Sequence, residues 1–460
     1  MSSIPIITQL LYVVAIVFFI MSLRNMSEVK TSRQANYFGA AGMVTAIAAT
    51  LIAYEIHRVD LLLVAVVIGV VVGSPIALKV PMTAIPQRTA MSHAFGSLAV
   101  ALVGTSEFYQ RAPNIDHYTV LVLSAEMILG YLTFTGSCIA FSKLHGIISG
   151  KPLIYPGRTF MSLLCLGVAI ALGIYLSIFP AEEQILPIMV VFALLFGFLL
   201  VIAIGGADMP TVIAILNSYA GLSAAALGFV LDNRVLIVAG ALDGSSGLVL
   251  GLIMSKAMNR SFRNVLFGGV GSTVHTIQTA QTDRTVASYT PEDVATILEN
   301  ARKVVIVPGY GLAVAQAQHV VKELADVLQE KDIDVKYGIH PVAGRMPGHM
   351  NVLLAEAEVP YDQLWEMDKI NSLFAETDVV IVVGANDVTN PAARNKPDSP
   401  LYGMPVLNVD KAKTVVFVKR STSPGFSGVD NDLFYLPNTM MVFGDAKKVL
   451  AEIVAAMNKS

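Results

Sequence analysis

The chain has 460 residues, of which 54% are hydrophobic and only 14% charged, and its mean hydropathy is +0.64. Soluble domains average about 25% charged residues, so a wholly soluble enzyme and a disordered chain are both at odds with this composition. A net charge of −3 offers no basic face for nucleic acid. The charge is unevenly spread: residues 1–263 hold 14 Lys+Arg and 11 Asp+Glu, whereas residues 264–460 hold 17 and 23 in a shorter stretch. One chain therefore joins a membrane-like part to a soluble-like part.

A helix needs about 20 apolar residues to cross a hydrocarbon core. Nine segments qualify: 4–23, 35–54, 61–78, 89–106, 118–142, 159–181, 184–207, 209–231 and 235–255. The first carries no Lys or Arg before Arg24, so it lacks the positive start of a signal peptide and reads as a retained span. Nine spans put the termini on opposite sides. One set of connections carries Arg24, Lys30, Arg33, Lys79, Arg88, Lys143, Lys151, Arg158, Lys256, Arg260 and Arg263; the other carries only Arg58, Arg111 and Arg234. Basic residues stay cytoplasmic, so the N-terminus is expected outside and the C-terminal half inside. Cys138 and Cys165 fall in apolar runs and read as small buried hydrophobes, with neither a disulfide framework nor a metal-site spacing.

Polar residues within spans are costly and therefore informative. His93 lies in the fourth span, Glu126 in the fifth, Asn217 in the eighth and Asp243 in the ninth, and Asp208 stands at the mouth of the eighth after Gly205–Gly206. His93 can load and release a proton near physiological pH, and also suits a structural role. Asn217 suits an interhelical hydrogen bond as well as a proton path, and Asp208 suits a helix N-cap before Pro210. Gly240–Ala241 and Gly244–Ser245–Ser246–Gly247 favour close helix packing or a polar route between helices. No span has the repeated arginines of a voltage sensor, and no potassium-filter signature is present.

Residues 264–289 are rich in Thr, Gln, Ser and Gly and read as a linker. A soluble domain opens at Thr290–Pro291–Glu292–Asp293, a helix start with Thr as N-cap and acids on the positive end of the dipole. Next comes a strand at Lys303–Val307, the turn Pro308–Gly309–Tyr310–Gly311, and a helical run over 315–329. Strand, Gly-x-Gly turn and helix is the arrangement that brings a diphosphate to a helix N-terminus, though the third position of the motif is Val314. Further strands are expected at 335–337, 378–383, 406–409 and 414–418, with a fainter one near 364–367, and a last helix at 446–457. The expected fold is thus an all-α membrane bundle of nine transmembrane helices followed by a soluble α/β, Rossmann-like, doubly wound parallel sheet domain.

Ligands in such sheets sit beyond the carboxyl ends of the strands. Two segments follow strands there: Gly384–Ala385–Asn386–Asp387, and Lys419–Arg420–Ser421 after what reads as the last strand. The second strand runs into Gly338–Ile339–His340–Pro341 without the acid that usually binds a ribose 2′-hydroxyl. Lys419, Arg420 and the Ser421 hydroxyl suit a 2′-phosphate instead, which points to NADP(H), although Lys-Arg by itself also suits a solvated loop.

These motifs together resemble the beta subunit of proton-translocating NAD(P) transhydrogenase over essentially the whole chain. The soluble matches are Pro308–Gly311, Gly338–Arg345, Asn351–Ala357, Gly384–Asp387 and Lys419–Ser421. The membrane matches are Thr135–Ser137, Gly205–Pro210, Leu216–Tyr219 and Met258–Ser261. The resemblance implies that residues 290–460 bind NADP(H) and that residues 1–263 are the membrane domain. NAD(H) is then carried by an alpha subunit, without which this chain does not complete the reaction, a Si-specific/Re-specific transhydrogenation. It further implies a dimer of alpha–beta units in a bacterial inner membrane. By the same resemblance the NADP(H) site is lined by Gly309, Tyr310 and Gly311; by Val342, Ala343, Gly344, Arg345, Met346 and Pro347; by Gly384, Ala385, Asn386 and Asp387; by Gly403 and Met404; by Lys419, Arg420, Ser421, Thr422, Ser423, Pro424, Gly425 and Phe426; and by Asp445 and Ala446. The family's NADP(H) lies reversed relative to the usual fold, which takes the Gly-x-Gly turn away from its usual diphosphate role. His93 and Asn217 fall on the family's proton-pathway positions, with Asp208 and Glu126 as weaker candidates. Two departures stand out: Val388–Thr389 where the family has Thr-Val, and Phe426 where it often has Tyr.

Two competing readings share this layout. An ion channel or transporter gated by a nucleotide-sensing domain would need charge rings or carbonyl filters. A membrane-anchored dehydrogenase would need a catalytic domain that the residues after Thr290 leave no room for.

Overall fold

A computed structural model describes residues 6–27, 31–53, 58–150, 152–153, 155–258, 262, 286–346, 348–399, 401–425 and 427–459. Pro347, Phe426, residues 259–261 and most of the 264–289 linker lie outside them. The described residues fall into two compact units, one helical and one built round a sheet.

The helical unit contains α1 (Ile6–Met26), α2 (Ser32–Ala53), α3 (Val59–Lys79), α4 (Ile85–Arg111), α5 (His117–His145), α6 (Arg158–Ile178), α7 (Ile185–Ile202), α8 (Met209–Val230) and α9 (Arg234–Ala257). Eight of these are long and apolar enough to cross a membrane. The exception is α4, which is long enough but interrupted by His93, Thr105, Glu107 and other polar residues. Asp116 starts α5 by accepting the Thr119 amide at 2.9 Å, and Gly146, with φ of 84°, ends it. Helix α5 packs against α4, α6 and α7. Nothing of α3 is buried.

The segment expected to run to residue 207 as a span ends earlier, at Ile202, and a short 3₁₀ turn at Gly206–Asp208 leads into α8. Helices α8 and α9 touch backbone to backbone. A Cβ on Gly221 would lie 2.3 Å from the Gly244 nitrogen, and one on Gly240 2.5 Å from the Ala225 nitrogen. The small residues flagged in the sequence thus serve close approach.

The second unit is a six-stranded, wholly parallel sheet of β1 (Lys303–Pro308), β2 (Asp334–Ile339), β3 (Leu364–Glu366), β4 (Val379–Val383), β5 (Thr414–Lys419) and β6 (Thr439–Phe443), in the order β3-β2-β1-β4-β5-β6. Its helices are α10 (Pro291–Glu299), α11 (Tyr310–Ala315), α12 (Gln318–Glu330), α13 (His349–Glu356), α14 (Met367–Asn371), α15 (Ala392–Asn395) and α16 (Ala446–Met457). Thr290 and Asp293 form the capping box expected at α10. Alternate strand residues feed two cores. Val304, Ile306, Ile381 and Val416 pack with Leu298, Leu324 and Leu450, while Val305, Val307, Val380, Val382 and Phe417 pack with Phe374 and Phe434 on the other face. Burial on both faces explains the unbroken Val/Ile runs.

Three expectations change here. The helix expected over 315–329 forms at Gln318–Glu330, and a separate short helix, Tyr310–Ala315, occupies the end of the expected turn, the two parted at Gln316, whose φ is 49°. The strand expected at 406–409 does not form. Its groups bond to loops instead: Leu407 N donates to the Val388 carbonyl at 2.9 Å, Asn408 N to Asn371 Oδ1 at 2.9 Å, and Asn371 Nδ2 to the Val406 carbonyl at 3.1 Å. The strand ending at Lys419 is not the last, since β6 lies outside it, and the end of the linker runs alongside β6, with Tyr289 N donating to the Met441 carbonyl at 2.9 Å. Thr-Met-Met-Val-Phe lacks the β-branched density by which the other strands announced themselves.

One carboxylate ties the amino ends of three strands together. Asp378 Oδ2 accepts the Arg302 and Lys303 amides at 2.9 and 3.0 Å, and its Oδ1 accepts Lys413 Nζ at 2.7 Å. Chiefly through Lys413, its pKa is held down at about 2. The folded value lies below the ordinary 3.8, so this stability is present above pH 3.8 and lost as pH falls through about 2. Asp378→Asn is expected to lower the sheet unit's unfolding free energy by about 1–2 kcal/mol at neutral pH and to remove that acid dependence. Urea unfolding of the full chain, read by Trp365 in β3, the only tryptophan, checks this.

Candidate functional site

The loops after β1, β2, β4, β5 and β6 all leave the same edge of a parallel sheet, and most of the soluble residues singled out above lie there. The chain diverges from β1 and β4 in opposite directions, opening a crevice between their loops.

The turns after β1 and β4 press together. Gly309 N donates to the Val383 carbonyl and Gly311 N to the Gly384 carbonyl, each at 2.9 Å. A Cβ on Gly309 would lie 2.4 Å from Ala385 Cα, and one on Gly311 2.6 Å from Gly384 Cα. Gly384 has φ of 66°, where a side chain is strained. The glycines therefore act as packing, and neither amide is left to bind a diphosphate.

The loop after β2 is pinned by two imidazoles. His340 Nδ1 accepts the Val342 amide at 3.2 Å, leaving Nε2–H to donate to the Pro405 carbonyl at 2.8 Å. Gly403 and Met404 lead into that carbonyl, and the Gly403 amide donates to Ala393 at 2.9 Å. His349 Nδ1 accepts the Arg345 amide at 3.0 Å. Burial pushes both histidines down to about 4, with the Arg345 charge adding to the effect on His349, so both are neutral at physiological pH. The Arg345 guanidinium lies 4.4 Å over the Tyr310 ring. Val342, Gly344, Arg345 and Met346 are part-exposed around this anchor while Ala343 is buried. Sequence reasoning missed His349; its spacing from Arg345 was the available signal.

The loop after β4 carries Asp387. Its carboxylate accepts Ser427 N at 2.9 Å and Ser427 Oγ at 2.8 Å, with Asn386 Nδ2 at 3.3 Å. Burial pushes this carboxyl up, opposed by the Ser427 bonds and the Lys419 charge. Asn431 Nδ2 reaches the Asn386 carbonyl and side-chain oxygen at 3.2 Å, and Asn390 Nδ2 the Asp430 carbonyl at 3.0 Å. Ser427, Asn390 and Asn431 carry no motif and escaped the sequence. Thr389 turns its hydroxyl inward onto the Asn386 carbonyl at 2.9 Å, and Val388 packs on the core.

The two neighbouring cations after β5 differ. Lys419 turns in, donating to the Ser423 carbonyl and standing 4.7 Å over the Phe434 ring, and burial lowers its pKa. Arg420 stands out in solvent, 3.3 Å from Asp445 Oδ2. Ser421 Oγ donates to Ser423 Oγ at 3.0 Å, and Thr422 and Pro424 are exposed beside them. A Cβ on Gly425 would lie 2.6 Å from Asp387 Oδ1, so this loop folds against the Asp387 carboxylate. Asp445 caps α16 through the Lys447 amide at 3.1 Å, and Ala446 is buried behind it.

In the helical unit, Asn217 Nδ2 donates to Asp243 Oδ1 at 3.1 Å, and the Asn217 side chain lies beside His93, whose buried Nδ1 makes no hydrogen bond among the described residues. Residues of α4, α8 and α9 thus meet, and Asn217 makes the interhelical bond alongside its contact with His93. Glu126 is buried, with its carboxyl filling the space left by Gly104, and Ser223 Oγ donates to its carbonyl at 2.9 Å. Asp208 immediately precedes α8, but its side chain does not cap the helix.

Helices of membrane-spanning length in a chain that also carries a parallel α/β sheet with a polar carboxyl edge are the layout of a polytopic membrane protein with a doubly wound sheet domain. Residues 8–456 match the family model for the NAD(P) transhydrogenase beta subunit. The NAD(P) transhydrogenase subunit beta of Rhodospirillum rubrum is 49% identical over 461 aligned positions, covering 98% of this chain and 99% of that protein, and a second sequence of the same name from that organism matches equally. The chain belongs to the NAD(P) transhydrogenase beta subunit family.

The two neutral histidines make the site acid-sensitive. Their folded pKa of about 4 lies below the ordinary 6.5, so their contribution is full above pH 6.5 and is lost as pH falls toward 4. The urea midpoint read by Trp365 is expected to fall across that window. In His349→Asn, whose amide oxygen replaces Nδ1 as acceptor without titrating, the slope should be about half.

Proposed function

We propose that residues 290–460 bind NADP(H) at the carboxyl edge of the sheet, in a Rossmann-like domain joined through residues 264–289 to a membrane domain, residues 1–263, of nine spans. The N-terminus lies outside and the sheet domain in the cytoplasm of a bacterial cell. An alpha subunit brings NAD(H), and two alpha–beta units pair. Hydride passes directly from NADH to NADP⁺, coupled to inward proton movement by way of His93 and Asn217.

The observation that carries the nucleotide reading is the strand order, whose direction reverses between β1 and β4, the position where such sheets bind dinucleotides. Arg420, exposed beside Ser421, is a fork suited to a 2′-phosphate. With the Gly309 and Gly311 amides used inside the fold, the diphosphate is assigned elsewhere on this edge, toward Arg345 and the Gly384–Asp387 loop. The nicotinamides supply the hydride chemistry; the protein orients them, and no acid or base of this chain is required for that step.

The two couples have nearly equal potentials, so net reduction needs a drive. One charge crossing 100 mV supplies about 2.3 kcal/mol. For that energy to reach the nucleotide, proton binding at His93 and NADP(H) affinity must bias the same two-state element. The meeting of His93, Asn217 and Asp243 from three helices supports a proton-handling group there.

Arg420→Ala is expected to weaken NADPH binding by about 10–100-fold, the worth of one charge-assisted contact, while hardly changing NADH binding. Calorimetric titration of the full chain with each nucleotide checks this; equal losses for both would remove the 2′-phosphate assignment. His93→Ala is expected to abolish proton movement in vesicles while the chain still binds NADPH, with an affinity that no longer responds to protonation at position 93. Normal proton pumping by that variant would refute the pathway.

A further inference from the structure

The break between α7 and α8 holds a buried cation that meets no carboxylate among the described residues. Lys143, near the end of α5, is 4% exposed. Its ammonium donates to the carbonyls of Ile202 and Ile204, each at 2.6 Å. The carbonyl between them, Ala203, faces the Arg158 guanidinium at 3.5 Å. Three successive carbonyls at the negative end of α7 therefore point at two cations from other helices. No ion pair to Lys143 occurs among the described residues. An ammonium buried in this way is tolerated only because carbonyl dipoles replace its water. The connection between α5 and α6 is bonded onto the same break: Leu153 N donates to the Ile202 carbonyl at 3.3 Å and Gly206 N to the Gly150 carbonyl at 2.8 Å.

We propose that Lys143 is a positioning residue: its ammonium fills a cage of carbonyls at the α7–α8 break and sets the turn from which α8 carries Asn217 to His93. The turn needs such a holder. Gly205 and Gly206 supply no side chain to pack. From the first residue of α8, Asn217 lies about 12 Å along the axis, so a tilt or slip at the break moves its amide relative to His93 on α4. Lys143 acts on the proton path without touching a proton in transit. The inference rests on the proton-path reading of Asn217 given above.

The test uses the full chain with its alpha partner, purified in detergent, turning over NADPH with an oxidised NAD analogue. His93→Ala is run in parallel. Lys143→Met, which keeps the stem but not the charge, should lose at least tenfold in kcat while KM for NADPH stays within twofold. Lys143→Ala should lose as much and recover at least fivefold with millimolar propylammonium, which refills the cage, but not with propanol. Because detergent abolishes any gradient, the amine cannot act by uncoupling. If Lys143→Met does not assemble, the propylammonium rescue of Lys143→Ala decides alone. An inactive His93→Ala with Lys143→Met within twofold of the parent overturns the positioning role and leaves the pathway standing. Equal rescue by propanol, or no rescue, overturns the cation cage. Full turnover by His93→Ala overturns the pathway and this inference with it.

Discussion

Inside an apolar bundle little water is at hand for a polar side chain, so a partner on a neighbouring helix stabilises it, although His93 Nδ1 and both Glu126 carboxyl oxygens meet none among the described residues. That constraint organises the helical unit. Asn217 on α8 bonds to Asp243 on α9 and approaches His93 on α4. Lys143 on α5 meets the end carbonyls of α7, and Ser223 on α8 meets the Glu126 carbonyl on α5. Polar bonds thus link α4, α5, α7, α8 and α9. The partners are mostly small or backbone groups, which requires the helices to lie close, and glycines at α8–α9 and at Gly104 allow that approach.

The same demand governs the sheet unit at its edge. The turns after β1 and β4 consume their own amides, and neutral imidazoles accept the amides of Val342 and Arg345. Under the proposed nucleotide reading, a loop that holds a charged ligand is thereby fixed before the ligand arrives, which lowers the ordering cost of binding. The exposed guanidinium of Arg420 is the complement of this rigidity, since Lys419 beside it is committed inward.

Much of this was legible in the chain itself. The composition step separates the two units because their solvents differ, and the long apolar runs became helices with ends shifted by a few residues. The Val/Ile runs marked β1, β4 and β5 because burial on both faces demands them. What stayed hidden depends on tertiary pairing. The β6 sequence carries only two β-branched residues, Thr439 and Val442, about a Met-Met pair, and 406–409 looks like a strand until its groups are taken by loops. At the site, Gly309 and Gly311 were visible but their use was not, since a tight turn reads alike whether it faces a phosphate or another backbone. His349 and Ser427 act through single hydrogen bonds that leave no pattern. Lys143 appeared only as a topogenic charge; its burial under α7 depends on a helix break that Gly205–Gly206 hinted at.

The central claim is that nucleotide chemistry at the sheet edge and proton movement through the helical unit are one coupled process. Reconstituting the chain with its alpha subunit in closed vesicles tests it most directly, with the final ratio of NADPH to NADP⁺ against NADH to NAD⁺ measured under an imposed membrane potential. Coupling predicts that about 100 mV, positive outside, shifts this ratio toward NADPH by about 50-fold for each proton carried, and that a protonophore abolishes the shift. A ratio that ignores the potential while hydride transfer proceeds would contradict the account.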